Sequence, residues 1–140
     1  MKKIAVVYWS GTGNTEAMAQ QVAEGAREAG AQADIIQAAQ FGPDQLPDYD
    51  AVAFGCPAMG AEVLEESEFE PMFASCQGKL PGKALALFGS YGWGDGEWMR
   101  NWEEQCRDWG AQLVCDSVIC CEAPDDEAKA ACRSLGKALA

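Results

Sequence analysis

Histidine is missing from this sequence, and cations are scarce: ten Lys and Arg face 22 Asp and Glu, a formal net charge of −12. Without an imidazole, Ser-His-Asp and Cys-His catalysis are excluded. Zinc and iron–sulfur centres need clustered thiolates or imidazoles, and the seven cysteines contain no Cys-x-x-Cys pair. Their odd number argues against a full disulfide framework. Cys56, Cys76, Cys106, Cys115, Cys120, Cys121 and Cys132 therefore read as small apolar side chains in a reducing compartment, and no metal site is expected. So negative a surface repels nucleic-acid phosphates and anionic membranes, and it suits partners with basic faces. Long apolar runs are lacking too. None approaches the ~20 residues of a membrane span. The run behind Lys2 and Lys3 stops at Tyr8, too short for a signal-peptide core, so the expected location is the cytoplasm.

What is present fits one domain, 1–140, with a single core: 140 residues, 49% of them apolar. Lys3–Tyr8 is rich in Val and Ile and runs into glycine, the mark of a buried strand. Met18, Val22 and Ala26 recur at helical spacing over 14–29, and Gly30 sits where a C-terminal cap belongs. Ala31–Gln37, Asp50–Cys56, Lys83–Phe88 and Gln112–Cys120 read as further strands, and Phe41–Pro47 as a loop. Ser67-Glu68-Phe69-Glu70 fits a capping box, with Pro71 in or near the first turn. Another helix runs from Asp95 or Gly96 to about Trp109, with Gly110 as its cap. A last one opens at Pro124, favoured by Asp125, Asp126 and Glu127. This alternation predicts an α/β fold, a doubly wound five-stranded parallel sheet in the order 2-1-3-4-5 with helices on both faces. Ligands on such sheets bind at the carboxyl ends of the strands, near the switch between strands 1 and 3. The loops after Tyr8, Gly55 and Phe88 are therefore the candidate site.

The first of these reads Trp9-Ser10-Gly11-Thr12-Gly13-Asn14-Thr15. Its glycines let several N–H groups turn toward one point, a helix start adds partial positive charge, and Ser10, Thr12, Asn14 and Thr15 add side-chain donors. That set suits a terminal phosphate. A Walker A loop would need Lys beside its Thr, where Asn14 stands. A dinucleotide fingerprint would need Gly at position 16, where Glu16 stands, and an acid after the second strand, where Gln37 and Ala38 lie. A phosphatase loop would need Cys and Arg. SGTGNT directly after a buried strand resembles the phosphate loop of the flavodoxins, which hold phosphate with hydroxyls and amides alone.

The other two loops extend the resemblance. After strand 3 comes Cys56-Pro57-Ala58-Met59-Gly60-Ala61-Glu62, and after strand 4 Gly89-Ser90-Tyr91-Gly92-Trp93-Gly94-Asp95-Gly96. Both are similar to short-chain, clostridial-type flavodoxins, over nearly the whole chain. The resemblance implies bound flavin mononucleotide (FMN), with Met59 and Trp93 on the two faces of its ring and the Glu62 carboxylate at the ring's N3 edge. It places Ser90, Tyr91 and Gly92 along the ring and ribityl side, with Pro57, Ala58, Gly60, Ala61 and Gly94 completing the two walls. Pro57 stands where some relatives offer a serine hydroxyl to the phosphate, and Ala61 where some have Asp or Gly. Cys120, Cys121 and Glu122 approach the ribityl or ring edge without an assigned role. Trp9, Trp98, Trp102 and Trp109 read as packing residues.

Nothing here serves as an acid, base or nucleophile for substrate chemistry, so no catalytic residue is expected. The resemblance implies a low-potential one-electron carrier shuttling FMN between semiquinone and hydroquinone. Its partners would be redox proteins with basic docking faces, low-potential oxidoreductases and ferredoxin-using enzymes among them, and the carrier itself a monomer. Glu62, Glu65, Glu66 and Glu68 would disfavour the reduced anion. A quinone or nitro reductase on the same fold would need a basic nicotinamide pocket and a dimer-building insertion. A receiver domain would need acids where Tyr8, Trp9 and Cys56 stand.

Overall fold

A computed structural model describes residues 2–60, 62–92 and 94–140. Strand β1 (Lys3–Tyr8) leads to helix α1 (Asn14–Glu28), β2 (Gln32–Gln37) and β3 (Ala51–Gly55). Then follow α2 (Phe69–Ser75), β4 (Ala84–Tyr91) and α3 (Glu97–Asp108). Two short strands, β5 (Gln112–Leu113) and β6 (Val118–Cys121), and α4 (Asp126–Leu139) complete the chain. All strands pair in parallel, in the order β2-β1-β3-β4-β5, with β6 also on β4. This is the doubly wound order expected from the alternation of elements.

The continuous apolar runs of β1, β3 and β4 follow from burial on both faces. Successive side chains of a strand point to opposite faces. Ala5 and Val7 thus join one core layer with Phe54, Phe69, Phe73, Trp98 and Trp102 beneath α2 and α3. Ile4 and Val6 join the other, with Met18, Val22, Cys132 and Leu135 beneath α1 and α4. Each fully buried side chain of Val, Leu, Ile or Phe size contributes roughly 1.5–3 kcal/mol. Helices α1 and α4 lie so close that a Cβ on Gly25 would fall 2.0 Å from the Arg133 carbonyl oxygen, and one on Gly136 2.0 Å from that of Val22. Among the described residues no helix is long and apolar enough to cross a membrane.

Four local expectations differ from the structure. The expected fifth strand, Gln112–Cys120, is two pieces: β5 pairs with Ala84 and Leu85, β6 with Phe88 to Tyr91. Between them the Ser117 hydroxyl donates to Glu103 Oε2 at 2.7 Å, a side-chain bond on a polar stretch that fits a pleated strand poorly. Pairing with β6 also carries β4 three residues beyond Phe88, so Gly89, Ser90 and Tyr91 lie on a strand and not in a loop. Finally, α2 starts without the expected Ser67–Glu70 capping box. Glu68 is its N-cap residue and makes no side-chain cap bond; the cap comes from Glu65. The segment read as the Phe41–Pro47 loop carries a 3-10 turn over Pro43–Asp48.

Candidate functional site

The loop between β1 and α1 is built to leave donors free. Gly13 takes a left-handed φ of 95° at the N-cap of α1, a backbone angle that a β-carbon makes costly. It offers no side chain to cap the helix. The Gly13 N–H donates to Ser10 Oγ at 3.0 Å, which closes the loop on itself. Among the described residues, the N–H groups of Thr12, Asn14, Thr15 and Glu16 find no acceptor. A helix start in this condition attracts an anion. The Trp9 ring underlies the loop, so that a Cβ on Gly11 would meet its Cη2 at 3.1 Å. Trp9 Nε1 in turn donates to Glu68 Oε1 at 3.0 Å.

The other two walls are tied to this one. Thr15 and Ser90, 1% and 5% exposed, share a hydrogen bond between their hydroxyls at 3.3 Å. The Ala58 N–H donates to the Ser90 carbonyl at 3.0 Å, joining the β3 loop to the end of β4. Between the three lies a cavity of about 590 Å³, bounded by Trp9, Gly11, Thr12, Asn14, Pro57, Ala58, Met59, Ser90, Tyr91, Gly92, Glu122 and Ala123. No Lys or Arg is among these residues.

Nine of the seventeen residues singled out from sequence line this cavity: Gly11, Thr12, Asn14, Pro57, Ala58, Met59, Ser90, Tyr91 and Gly92. Ser10 and Gly13 face a smaller hollow of about 270 Å³ behind the loop, beside Glu16 and Gln37. The buried Thr15 hydroxyl is taken up by Ser90. Gly60 sits in a turn closed by Glu62 N–H donating to the Met59 carbonyl at 2.8 Å. Glu62 itself, at a left-handed φ of 56°, turns its carboxylate to the start of α3, where Oε2 accepts the Trp98 N–H at 3.0 Å. Gly94 is beside it. Ala61 and Trp93 lie outside the described residues, and with them the second face of the expected sandwich.

Sequence reasoning missed Trp9, read only as packing, and Ala123; it gave Glu122 no role. Glu122 has a left-handed φ of 59°, and its N–H donates to the Tyr91 carbonyl at 2.7 Å. Left-handed backbone at residues other than glycine concentrates at functional sites. The available signal was position alone, at the carboxyl end of the last strand.

The electrostatics are one-sided. Glu62, Glu65, Glu66, Glu68 and Glu70 crowd one stretch of sequence; Glu62, Glu66 and Glu70 border a separate hollow beside Trp98 and Trp102, Glu68 borders the hollow behind the first loop, and among the described residues neither ion pair, Arg100–Asp95 or Lys137–Glu28, involves them. Burial pushes the Glu65 carboxyl up. Hydrogen bonds from the Ser67 hydroxyl and from the Phe69, Glu68 and Ser67 N–H groups outweigh that and hold it below the usual range. Burial lifts the Cys56 thiol to about 12, so it is inert at neutral pH. Among the described residues no three His, Cys, Asp or Glu side chains are placed to hold a metal ion.

Comparison with known proteins agrees with this geometry. The flavodoxin family model matches residues 6–136. The chain belongs to the flavodoxin family. It is 48% identical over 135 residues to the flavodoxin of Clostridium beijerinckii, covering 96% of this chain and 97% of that one. It is 43% identical over 137 residues to the flavodoxin of Megasphaera elsdenii, covering 98% of each. The solution structure of two-electron reduced Megasphaera elsdenii flavodoxin superposes with a TM-score of 0.89 over 97% of both chains. Membership makes this chain an FMN-binding electron carrier and not an enzyme. The residues present fit FMN: unpaired amides at one end of the cavity suit a phosphate, and Met59 and Tyr91 give the rest of it apolar walls. When bound, FMN supplies all the redox chemistry.

Proposed function

We propose that this flavodoxin is a low-potential one-electron carrier, working between the semiquinone and hydroquinone of FMN for redox proteins with basic faces. The observation that carries this reading is a cavity with neutral donors at one end and no Lys or Arg in its lining, in a chain with five Glu between positions 62 and 70. The Ser10–Thr15 loop holds the phosphate with amides and hydroxyls. Met59 covers one face of the flavin ring and Trp93 the other, with Pro57, Ala58, Ser90, Tyr91 and Gly92 along its length. Flat stacking of this kind adds roughly 0.5–1.5 kcal/mol beyond buried area.

Gly60 supplies a carbonyl for the ring edge. A Cβ on Gly60 would meet nothing within 4 Å, and its φ lies outside the left-handed region. The turn as it stands therefore does not require glycine. Glycine's value at this position lies in a second arrangement of the 60–61 peptide, in which the Gly60 carbonyl accepts a proton-borne hydrogen bond from ring N5. The Glu62, Glu65, Glu66 and Glu68 carboxylates oppose a further negative charge on the ring. Each costs it roughly 0.4–1.7 kcal/mol at about 10 Å, for dielectrics of about 80 down to 20. The same acids guide a basic partner to the cavity. The carrier acts as a cytoplasmic monomer, its 140 residues forming one flavin-holding unit.

Stepwise anaerobic reduction of the purified flavoprotein, followed by absorbance, tests the reading. A strong neutral radical band before bleaching is expected. Flavin that bleaches directly would refute one-electron carriage.

A further inference from the structure

Glu68 stands at the start of α2, yet its side chain caps nothing there. Among the described residues its carboxylate takes part in one hydrogen bond, accepted by Oε1 from Trp9 Nε1 at 3.0 Å across 59 positions of sequence. The Glu68 backbone is itself pinned, its N–H donating to Glu65 Oε1 at 2.7 Å. Trp9 is half-buried, and its ring lies against the Ser10–Thr15 loop. A Cβ on Gly11 would stand 3.1 Å from Trp9 Cη2 and 3.3 Å from Cζ3. The Trp9 backbone N–H donates to the Gly55 carbonyl at 3.0 Å. The indole is therefore fixed at its backbone by β3 and at its N–H by Glu68, with its far edge against Gly11. Trp9 and Gly11 border both the cavity of about 590 Å³ and the hollow of about 270 Å³ behind the loop, whereas Glu68 borders the hollow alone.

We propose that Glu68 and Trp9 form a clasp that positions the Ser10–Thr15 loop, so that Glu68, acting through Trp9, sets the preference for FMN over riboflavin. This rests on the reading of that loop as the phosphate site. Gly11 and Gly13 give the loop more backbone freedom than other residues would, and freedom lost on binding subtracts from affinity. A ring fixed against Gly11 removes part of that freedom before the phosphate arrives. The gain falls on the phosphate end alone, because riboflavin lacks the group that the loop would hold. Glu68 is thus a positioning residue. Charge by itself argues the reverse for this acid. A carboxylate near an anion's site repels the anion, so removing it would tighten FMN binding, whereas loss of the clasp weakens it. The Glu68→Gln variant separates the two effects further: it loses the charge and keeps a side-chain oxygen that accepts from the indole N–H.

The test is a titration of the flavin-free, full-length protein with FMN and with riboflavin at one fixed salt concentration. The wild type should bind FMN more tightly; equal affinities would refute the phosphate reading itself, and the clasp with it. Glu68→Ala should weaken FMN binding about threefold to tenfold, the range of one net hydrogen bond, and leave riboflavin binding as it is in the wild type. Glu68→Gln should bring FMN affinity back to the wild-type value or above it. In a Trp9→Phe background, which lacks the indole donor, Glu68→Ala should cost FMN nothing further, since partners in one interaction are not additive. A wild type that prefers FMN, together with a Glu68→Ala variant that binds FMN at least as tightly, would overturn the clasp and leave the phosphate reading standing. An equal loss for both ligands would overturn it as well, as would an undiminished effect of Glu68→Ala in the Trp9→Phe background.

Discussion

Removing the Glu65 carboxylate should loosen the turn that starts α2. Glu65 is 5% exposed. Its Oε2 accepts the Ser67 N–H at 2.7 Å and the Ser67 hydroxyl; its Oε1 accepts the Glu68 and Phe69 N–H groups at 2.7 and 2.8 Å. Those last two begin α2. Loss of a helix cap costs about 0.5–2 kcal/mol, and each buried donor left unsatisfied about 1–3 kcal/mol. The Glu68 and Ser67 amides are only partly buried, so water recovers part of the loss. Glu65→Ala is therefore expected to destabilise by about 2–4 kcal/mol, and Glu65→Gln, which keeps one acceptor oxygen, by about half as much. The folded carboxyl is held below its unfolded value. Its contribution is thus complete above the unfolded value, near 4.3, and is lost as pH falls through the folded one. Urea melts of the wild type and both variants at pH 7 and in steps toward pH 3 measure this. The stability gap should be full at pH 7 and close on acidification. A gap under about 1 kcal/mol for Glu65→Ala, or one that does not change with pH, would refute the capping argument.

Other perturbations probe separate parts of the molecule. Gly25→Ala drives a methyl to 2.0 Å from the Arg133 carbonyl oxygen; it should cost about 1–3 kcal/mol or more in a urea melt, as overpacking does. If it melts like the wild type, the close seating of α1 on α4 is wrong. Gly60→Val meets no atom within 4 Å in the present turn and should leave flavin affinity nearly unchanged. It should shrink the radical yield in a reductive titration, and an unchanged yield would defeat the peptide-rotation argument. Glu66→Gln removes a charge with no hydrogen-bonding duty among the described residues. The lower flavin potential should then rise by about 20–70 mV, for a carboxylate about 10 Å from the ring. An unmoved potential would leave this acid to docking alone.

Most of the fold was legible in the sequence because one physical rule governs it. Strands buried on both faces must be apolar throughout, as Ile4–Val7 and Ala51–Phe54 are. The Ser10–Thr15 loop stood out as a candidate phosphate site because glycines between hydroxyls, directly after such a strand, have few other uses. What escaped notice depends on tertiary contacts. The break in the fifth strand is set partly by Glu103 on another helix. Glu65 caps α2 through a turn that no capping pattern describes, because the acid precedes the helix by four residues. Glu62 carries a residue type expected at the ring edge, yet its carboxylate lies on the Trp98 amide. Nothing in local sequence foretells the left-handed backbone of Glu122.

The cation-free Ser10–Thr15 loop, as the proposed phosphate site, would give the molecule two different responses to ionic strength. Dissolved salt screens attraction between exposed charges beyond about 8–10 Å at physiological concentrations, while hydrogen bonds from fixed amides at contact distance are barely weakened. A protein of net charge −12 that gripped its phosphate with lysines would lose cofactor and partners together as salt rises. Holding the phosphate with neutral donors separates the two. On the proposed function, moderate salt would release the basic partner while the departing carrier kept its flavin.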